Sequence, residues 1–136
     1  MKNETFIAFQ IKKEALKHHI EQIWIWDEAE QFQFHLDETP TIKEEFLYSD
    51  DTRIGYLQTQ EDENCLFIWG IYLLNAYQSL GYGNELFKQL IIEAERNGKI
   101  IELEVFKINT KAIRFYERLG FVKISENEYH FRYLKS

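Results

Sequence analysis

One cysteine, one proline and six glycines in 136 residues narrow the field before any motif is considered. A lone thiol, Cys65, forms no internal disulfide and cannot supply most of a zinc site, so a reducing compartment is the expectation. Its setting, Asn64-Cys65-Leu66-Phe67-Ile68, has the pattern of a buried strand, where a thiol packs more readily than it attacks. Scarce glycine and proline exclude collagen-like and low-complexity architectures, and no internal repeat or linker-like segment is visible. Basic residues are outnumbered, 16 Lys and Arg against 23 Asp and Glu, which gives a net charge of −7. No run of Lys or Arg marks a nucleic-acid surface. No stretch approaches a membrane span, and the first residues, Met1-Lys2-Asn3-Glu4-Thr5, carry no apolar signal core. A soluble cytoplasmic protein is expected, without nucleic acid or membrane as partner. The acidic balance mildly favours cationic substrates but serves solubility equally well.

What is present suits a folded domain. Hydrophobic residues make up 45% and aromatics 16% of the chain, enough to bury a core within one domain spanning 1–136. Residues 5–11 suit a short first strand. Leu16, Ile20, Ile23 and Trp24 follow helical spacing over 12–26, and 27–35 suits a second short helix stopped by Thr39-Pro40. Segments 41–48, 53–59 and 65–74 have strand character, with Ser49-Asp50-Asp51 and Glu61-Asp62-Glu63-Asn64 as turns, which predicts an antiparallel meander. A periodic helix begins at about Asn84 and stops at Gly98. Ile101, Leu103 and Val105 then alternate with Glu102 and Glu104 as on a half-buried strand. Asn109 can cap a further helix ending at Gly120, and 121–124 and 129–134 form a last hairpin. The order β-α-α-β-β-β-α-β-α-β-β describes an α+β (mixed α/β) domain.

The junction Gln78-Ser79-Leu80-Gly81-Tyr82-Gly83 stands out within that order. Two glycines one residue apart, between a strand and a helix, let the backbone turn sharply and approach a ligand. Amides at a helix start lack intrahelical partners, and the helix dipole favours an anion there. A P-loop needs Lys and then Ser or Thr after its last glycine, whereas Asn84-Glu85 follow here. A dinucleotide fingerprint needs a small residue where Leu86 stands and a place after the first strand of a βαβ unit. The bare glycine pattern arises by chance on the order of once in ten chains this long.

A second motif follows one strand downstream: Asn109-Thr110-Lys111-Ala112-Ile113-Arg114-Phe115-Tyr116-Glu117-Arg118-Leu119-Gly120-Phe121. Together the two resemble the GCN5-related N-acetyltransferase (GNAT) superfamily. There a Gln/Arg-x-x-Gly-x-Gly/Ala loop is matched by Gln78, Gly81 and Gly83. Asn-x-x-Ala-x-x-x-Tyr with Leu-Gly-Phe is matched by Asn109, Ala112, Tyr116, Leu119, Gly120 and Phe121. The resemblance is specific across 69–124. The segment Ile23-Trp24-Ile25-Trp26-Asp27-Glu28 looks like the acceptor-side helices of some bacterial members.

This resemblance implies an acyl-CoA N-acyltransferase fold, a mostly antiparallel sheet of about seven strands flanked by about four helices. It implies acetyl-coenzyme A as co-substrate, no metal, and direct transfer to a primary amine in a ternary complex. The amine would belong to a small molecule or a peptide, and late strands would offer a surface for a homodimer. Backbone amides of Ser79, Leu80, Gly81, Tyr82, Gly83 and Asn84 would hold the pyrophosphate, with Gln78 opening the loop and fixed dipoles, not lysines, meeting the charge. The strand carrying Ile71 and Leu73 would pair with the pantetheine arm and part from strand 100–106 to make a slot. An amide within 71–73 would polarise the acetyl carbonyl. Asn109 would contact the arm or anchor its helix.

Tyr116 is the expected general acid for the departing thiolate, although its place on the apolar helix face also suits a core tyrosine. The base is open. Relatives often carry a Glu on the strand before the loop, where this chain has only Phe67-Ile68-Trp69-Gly70-Ile71. Asp27, Glu28 and His35 are candidates from the acceptor-side segment, and Glu102 or Glu104 from the neighbouring strand. Trp24 and Trp26 would wall an acceptor pocket or pack in the core. His18-His19 has no partner at metal-ligand spacing, and His130 faces either the site or water. Two rival readings keep the scaffold without the chemistry: a non-catalytic CoA-binding or interaction module, and a regulator that binds another nucleotide.

Overall fold

Two helices precede the sheet. The computed structural model describes residues 2–21, 28–38 and 42–136. Its elements are α1 (Lys2–Glu21), α2 (Glu28–Glu38), β1 (Lys43–Ser49), β2 (Thr52–Glu61), β3 (Cys65–Leu73), α3 (Tyr82–Arg96), β4 (Ile100–Phe106), α4 (Thr110–Arg118), β5 (Val122–Glu126) and β6 (His130–Lys135). A single 3-10 turn, Asn75–Tyr77, follows β3. The strands form one sheet in the order β1-β2-β3-β4-β6-β5. All pairings are antiparallel except β3 with β4.

The α+β class and the meander are as expected, and one element is corrected. Residues 5–11, expected as a strand, lie inside α1, so the described sheet has six strands. Thr5-Phe6-Ile7-Ala8-Phe9 favours a strand by composition. Ala8, Ile11 and Ala15, however, repeat at helical spacing and pack against Tyr56 and Tyr72 of the sheet. Burial of that stripe outweighs local preference. Helix α2 covers the second expected helix and runs on to Glu38; Trp24, Trp26 and Asp27 lie outside the described residues.

The sheet has a core on each face. On one, Leu57, Leu66, Ile68, Ile101, Leu103, Val105 and Tyr133 meet Phe87 and Ala94 of α3 and Tyr116 of α4. On the other, α1 covers Tyr56 and Tyr72. Gly98 (φ 69°) and Gly120 (φ 97°) end α3 and α4 in the left-handed conformation that their positions anticipate.

The central parallel ladder is short. It joins Cys65 to Ile100, Leu66 to Ile101, Phe67 to Glu102 and Ile68 to Leu103, and goes no further. Beyond it β3 continues to Leu73 and β4 to Phe106 without pairing to each other. At the same level β3 bulges: Gln58 faces Gly70 and Thr59 faces Ile68, so Trp69 has no partner on β2. A bulge bends its strand and steepens the twist. The two central strands therefore part just after Ile68 and Leu103.

Phe87 is fully buried and meets Phe115, Tyr116 and Phe121 at ring-centroid distances of 5.5, 5.5 and 6.1 Å. It joins α3 to α4 over the sheet. Phe87→Ala is expected to cost about 3–5 kcal/mol, seen as a lower urea midpoint with an unchanged denaturant slope.

Candidate active site

The strand-to-helix loop is held open from several sides. Gln78 Nε2 donates to the Leu73 carbonyl (2.9 Å) and to Asn75 Oδ1 (3.2 Å). The Asn75 amide donates to Glu14 of α1 (2.7 Å). The Tyr82 hydroxyl lies 3.2 Å from Ser49 Oγ, and its ring meets Tyr77 edge-on at 5.9 Å. Ser79 (φ 63°) and Gly81 (φ 92°) both take left-handed backbone conformations. The first helical bond of α3 is Glu85 N–H to Gly81 C=O, 3.1 Å. The amides of 79–84 have no partner among the described residues.

These amides converge at the N-terminus of a 15-residue helix, where an anion is favoured. A Cβ built on Gly81 would meet nothing within 4 Å, so the space beside Gly81 is open. On Gly83 it would lie 3.7 Å from Phe115 and 4.0 Å from Leu73, ordinary contacts that admit alanine. One expectation is corrected: a lysine does stand at the loop. Lys111, in the first turn of α4, donates its ammonium to Ser79 Oγ. The motif spacing marked Asn109 and Ala112 and passed over Lys111 between them. Dipoles and one cation together fit a diphosphate.

Beyond the loop lies the gap between β3 and β4. The Leu74 amide donates to Ile54 C=O at 2.9 Å, and a Cβ on Gly55 would lie 2.5 Å from the Tyr72 carbonyl oxygen. Tyr72 and Leu74 thus direct their backbone groups toward β2. Strand alternation turns those of Ile71 and Leu73 the other way, into the gap. Gln78 meets the Leu73 carbonyl on that side. Across the gap, Asn109 caps α4 by accepting from the Ala112 amide (3.2 Å). The cap uses its carbonyl oxygen and leaves its NH2 group as a donor.

The ionisable candidates separate clearly. Tyr116 is buried in the α3–α4 core, and burial pushes its phenol up to about 12. It is therefore a proton carrier at any working pH. The Cys65 thiol is pushed up to about 11 by burial and by Glu102, whose Oε2 lies 3.6 Å away. Such a thiol is a poor nucleophile. His35 is fully buried among Phe9, Phe32 and Tyr56, so the suggestion that it acts as base is corrected: a sealed imidazole cannot meet an acceptor. Glu28 is exposed, with its carboxylate engaged by Lys13 in a bridge between α1 and α2. Glu104 lies on β4 immediately after the last pair with β3, exposed, on the face opposite Leu103 and Val105. Burial lowers the His130 pKa, and Glu104 opposes that shift. Of the expected bases among the described residues, Glu104 is the one placed beside the gap.

Gly81→Ala is expected to destabilise the protein by about 1–2 kcal/mol through its positive φ rather than by crowding. Gly83→Ala should change stability little. Paired denaturation curves check both.

The chain matches the model of the Acetyltransferase (GNAT) family over residues 8–121. Among solved structures it is similar to PaiA N-acetyltransferase from Thermoplasma acidophilum in complex with coenzyme A, at 18% identity and a TM-score of 0.73 over 98% of this chain and 91% of that one. It is similar to the ribosomal-protein-S18-alanine N-acetyltransferase of Escherichia coli, at 22% identity and a TM-score of 0.70 over 98% and 86%. Arabidopsis thaliana Naa50, in complex with the bisubstrate analogue CoA-Ac-MVNAL, matches at 21% identity and a TM-score of 0.62 over 68% and 72%. At such identities the structural likeness is one of fold. The family match spans most of the sequence and carries further: this chain belongs to the GNAT acetyltransferase family.

Proposed function

We propose that the protein is an acetyl-CoA-dependent N-acetyltransferase acting on a primary amine by direct attack in a ternary complex. The observation that carries this reading is the continuity of two features. Partnerless amides gather at 79–84, and the adjoining strands part after Ile68 and Leu103. An elongated ligand with a diphosphate at one end and a narrow arm at the other matches that shape. Similar structures are described with coenzyme A or acetyl-CoA bound.

Each residue then has a task. The amides of 79–84 and the Lys111 ammonium hold the diphosphate. The outward backbone groups of Ile71 and Leu73 align the arm as an added strand would be aligned, and one of their N–H groups donates to the acetyl oxygen. The Asn109 NH2 donates to the arm. Acetyl-CoA supplies an activated acetyl group and a thiolate leaving group.

Proton movements fall to two side chains on opposite faces of the sheet. An amine with pKa ~10.4 is neutral about once in a few thousand molecules at pH 7, a deficit of roughly 4–5 kcal/mol. Glu104, on the face away from α3 and α4, takes that proton from the acceptor, directly or through water. Tyr116, on the α3–α4 side, returns one to the sulfur. The two side chains lie on opposite faces of the sheet, so amine and phenol need not compete for the same side. This assignment replaces the strand glutamate that the sequence around Phe67-Ile68-Trp69 does not provide.

Thiol release in a broad amine screen tests the reading, and its absence with every amine would favour the non-catalytic CoA-binding module. Tyr116→Phe is expected to lower kcat about 10²- to 10⁴-fold with coenzyme A affinity near normal by calorimetry. Glu104→Gln should lower kcat/KM at least about 10²-fold at pH 7. That loss should shrink as pH approaches the acceptor pKa, because the amine is then already neutral. Lys111→Gln should weaken coenzyme A binding roughly two- to fivefold, and added salt should erase the difference.

A further inference from the structure

The face of the sheet that carries Glu104 also carries an arginine that the chemistry above does not use. Arg132 lies on β6 directly opposite Glu104 on β4. Its neighbours Phe131 and Tyr133 point into the α3–α4 core, so Arg132 points to the other face. Its guanidinium stands 4.7 Å from the ring centroid of Phe67 on β3. Strand β4 runs between β6 and β3. The side chain therefore crosses β4 and ends above Phe67, one residue before the last pair of the parallel ladder. A cation is held at the fork where the two strands part.

That cation is not spent on its neighbours. Glu102 and Glu104 flank its path on the same face, yet among the described residues neither forms an ion pair with it. Glu102 instead accepts from the Cys65 thiol at 3.6 Å. The Arg132 Nε is buried without a hydrogen-bond partner. Stacking on Phe67 holds the guanidinium plane but satisfies none of its N–H donors. Trp69, 46% exposed, stands beside it, its ring 4.9 Å from Phe67 and its Nε1 donating to Gln60 at 3.0 Å.

We propose that Arg132 binds a carboxylate on the acceptor, so that the substrate is a free α-amino acid or a similarly small zwitterionic amine. The inference rests on the reading of the gap as the site of acetyl transfer. Glu104 and Arg132 rise from one face across a single strand pair, and the guanidinium ends over Phe67 at the fork, so the site offers a carboxylate for the ammonium of such a molecule and a cation for its carboxylate. Trp69 supplies a flat wall for its side chain. A guanidinium fork suits a carboxylate better than any other small group. A chain N-terminus, whose next group is an amide, or a polyamine would leave the fork unsatisfied.

The test measures binding and turnover separately. The protein saturated with coenzyme A is titrated with a panel of α-amino acids and their matching α-amides, followed by calorimetry. At least one acid is expected to bind about tenfold or more tightly than its amide. Arg132→Gln should bring that ratio to within about twofold of unity, and Arg132→Lys should leave an intermediate ratio, keeping charge but losing the fork. Thiol release from acetyl-CoA should show the same ratio in kcat/KM. Equal binding of every acid and amide, or a ratio that survives Arg132→Gln, overturns the proposal. Selective binding without thiol release keeps the carboxylate subsite and removes the transferase reading instead.

Discussion

The parting of β3 from β4 is the constraint on which the rest of the molecule depends. A parallel ladder stopping at Ile68 and Leu103 leaves two strands side by side with unmatched backbone groups. Such groups are costly to bury and must find water or a ligand. The bulge at Trp69 bends β3 at the same level. Helices α3 and α4, pinned through Phe87, form a floor under the opening. The loop over 78–84 and the cap of α4 stand at its rim because each follows the end of one of the parting strands.

Electrostatics divide along the two faces. On the loop side, helix-terminal amides and the Lys111 ammonium offer positive potential. Tyr116 beneath is kept neutral by burial. On the opposite face, Glu104 and Arg132 stand across one strand pair without cancelling each other. One half of the site suits a polyanionic cofactor, and the other is the face proposed to meet an acceptor carrying charge of both signs. A chain of net charge −7 thereby keeps two cations at the places proposed to bind anions.

Much of the second half was legible from residue order alone. Gly81, Gly98 and Gly120 occur where left-handed backbone is required, and Asn109 lies three residues before the amide it caps. These are local geometries, set within one turn of chain. Residues 5–11 have the look of a strand because the β-prone composition of residues 5–9 competes with a helical stripe. That stripe has value only against Tyr56 and Tyr72, more than forty positions away. Lys111 carries no signal in the motif itself, and its place at the loop comes from the fold, which sets it beside Ser79, 32 positions earlier. His35 gave no hint of its burial, since Phe9 and Tyr56 surround it from both sides in the chain.

Residue order alone therefore pointed to the family and the class of cofactor and singled out the loop over 78–84, because turns, caps and helix starts are made from neighbours in the chain. The proposed base, the cation at the fork and the proposed acceptor side came from the fold. They belong to β3, β4 and β6, and strand order 3-4-6 places Phe67, Glu104 and Arg132 together. Side chains that reach across a sheet take their meaning from adjacency, and adjacency is settled by how helices cover the two faces and where the central ladder gives way.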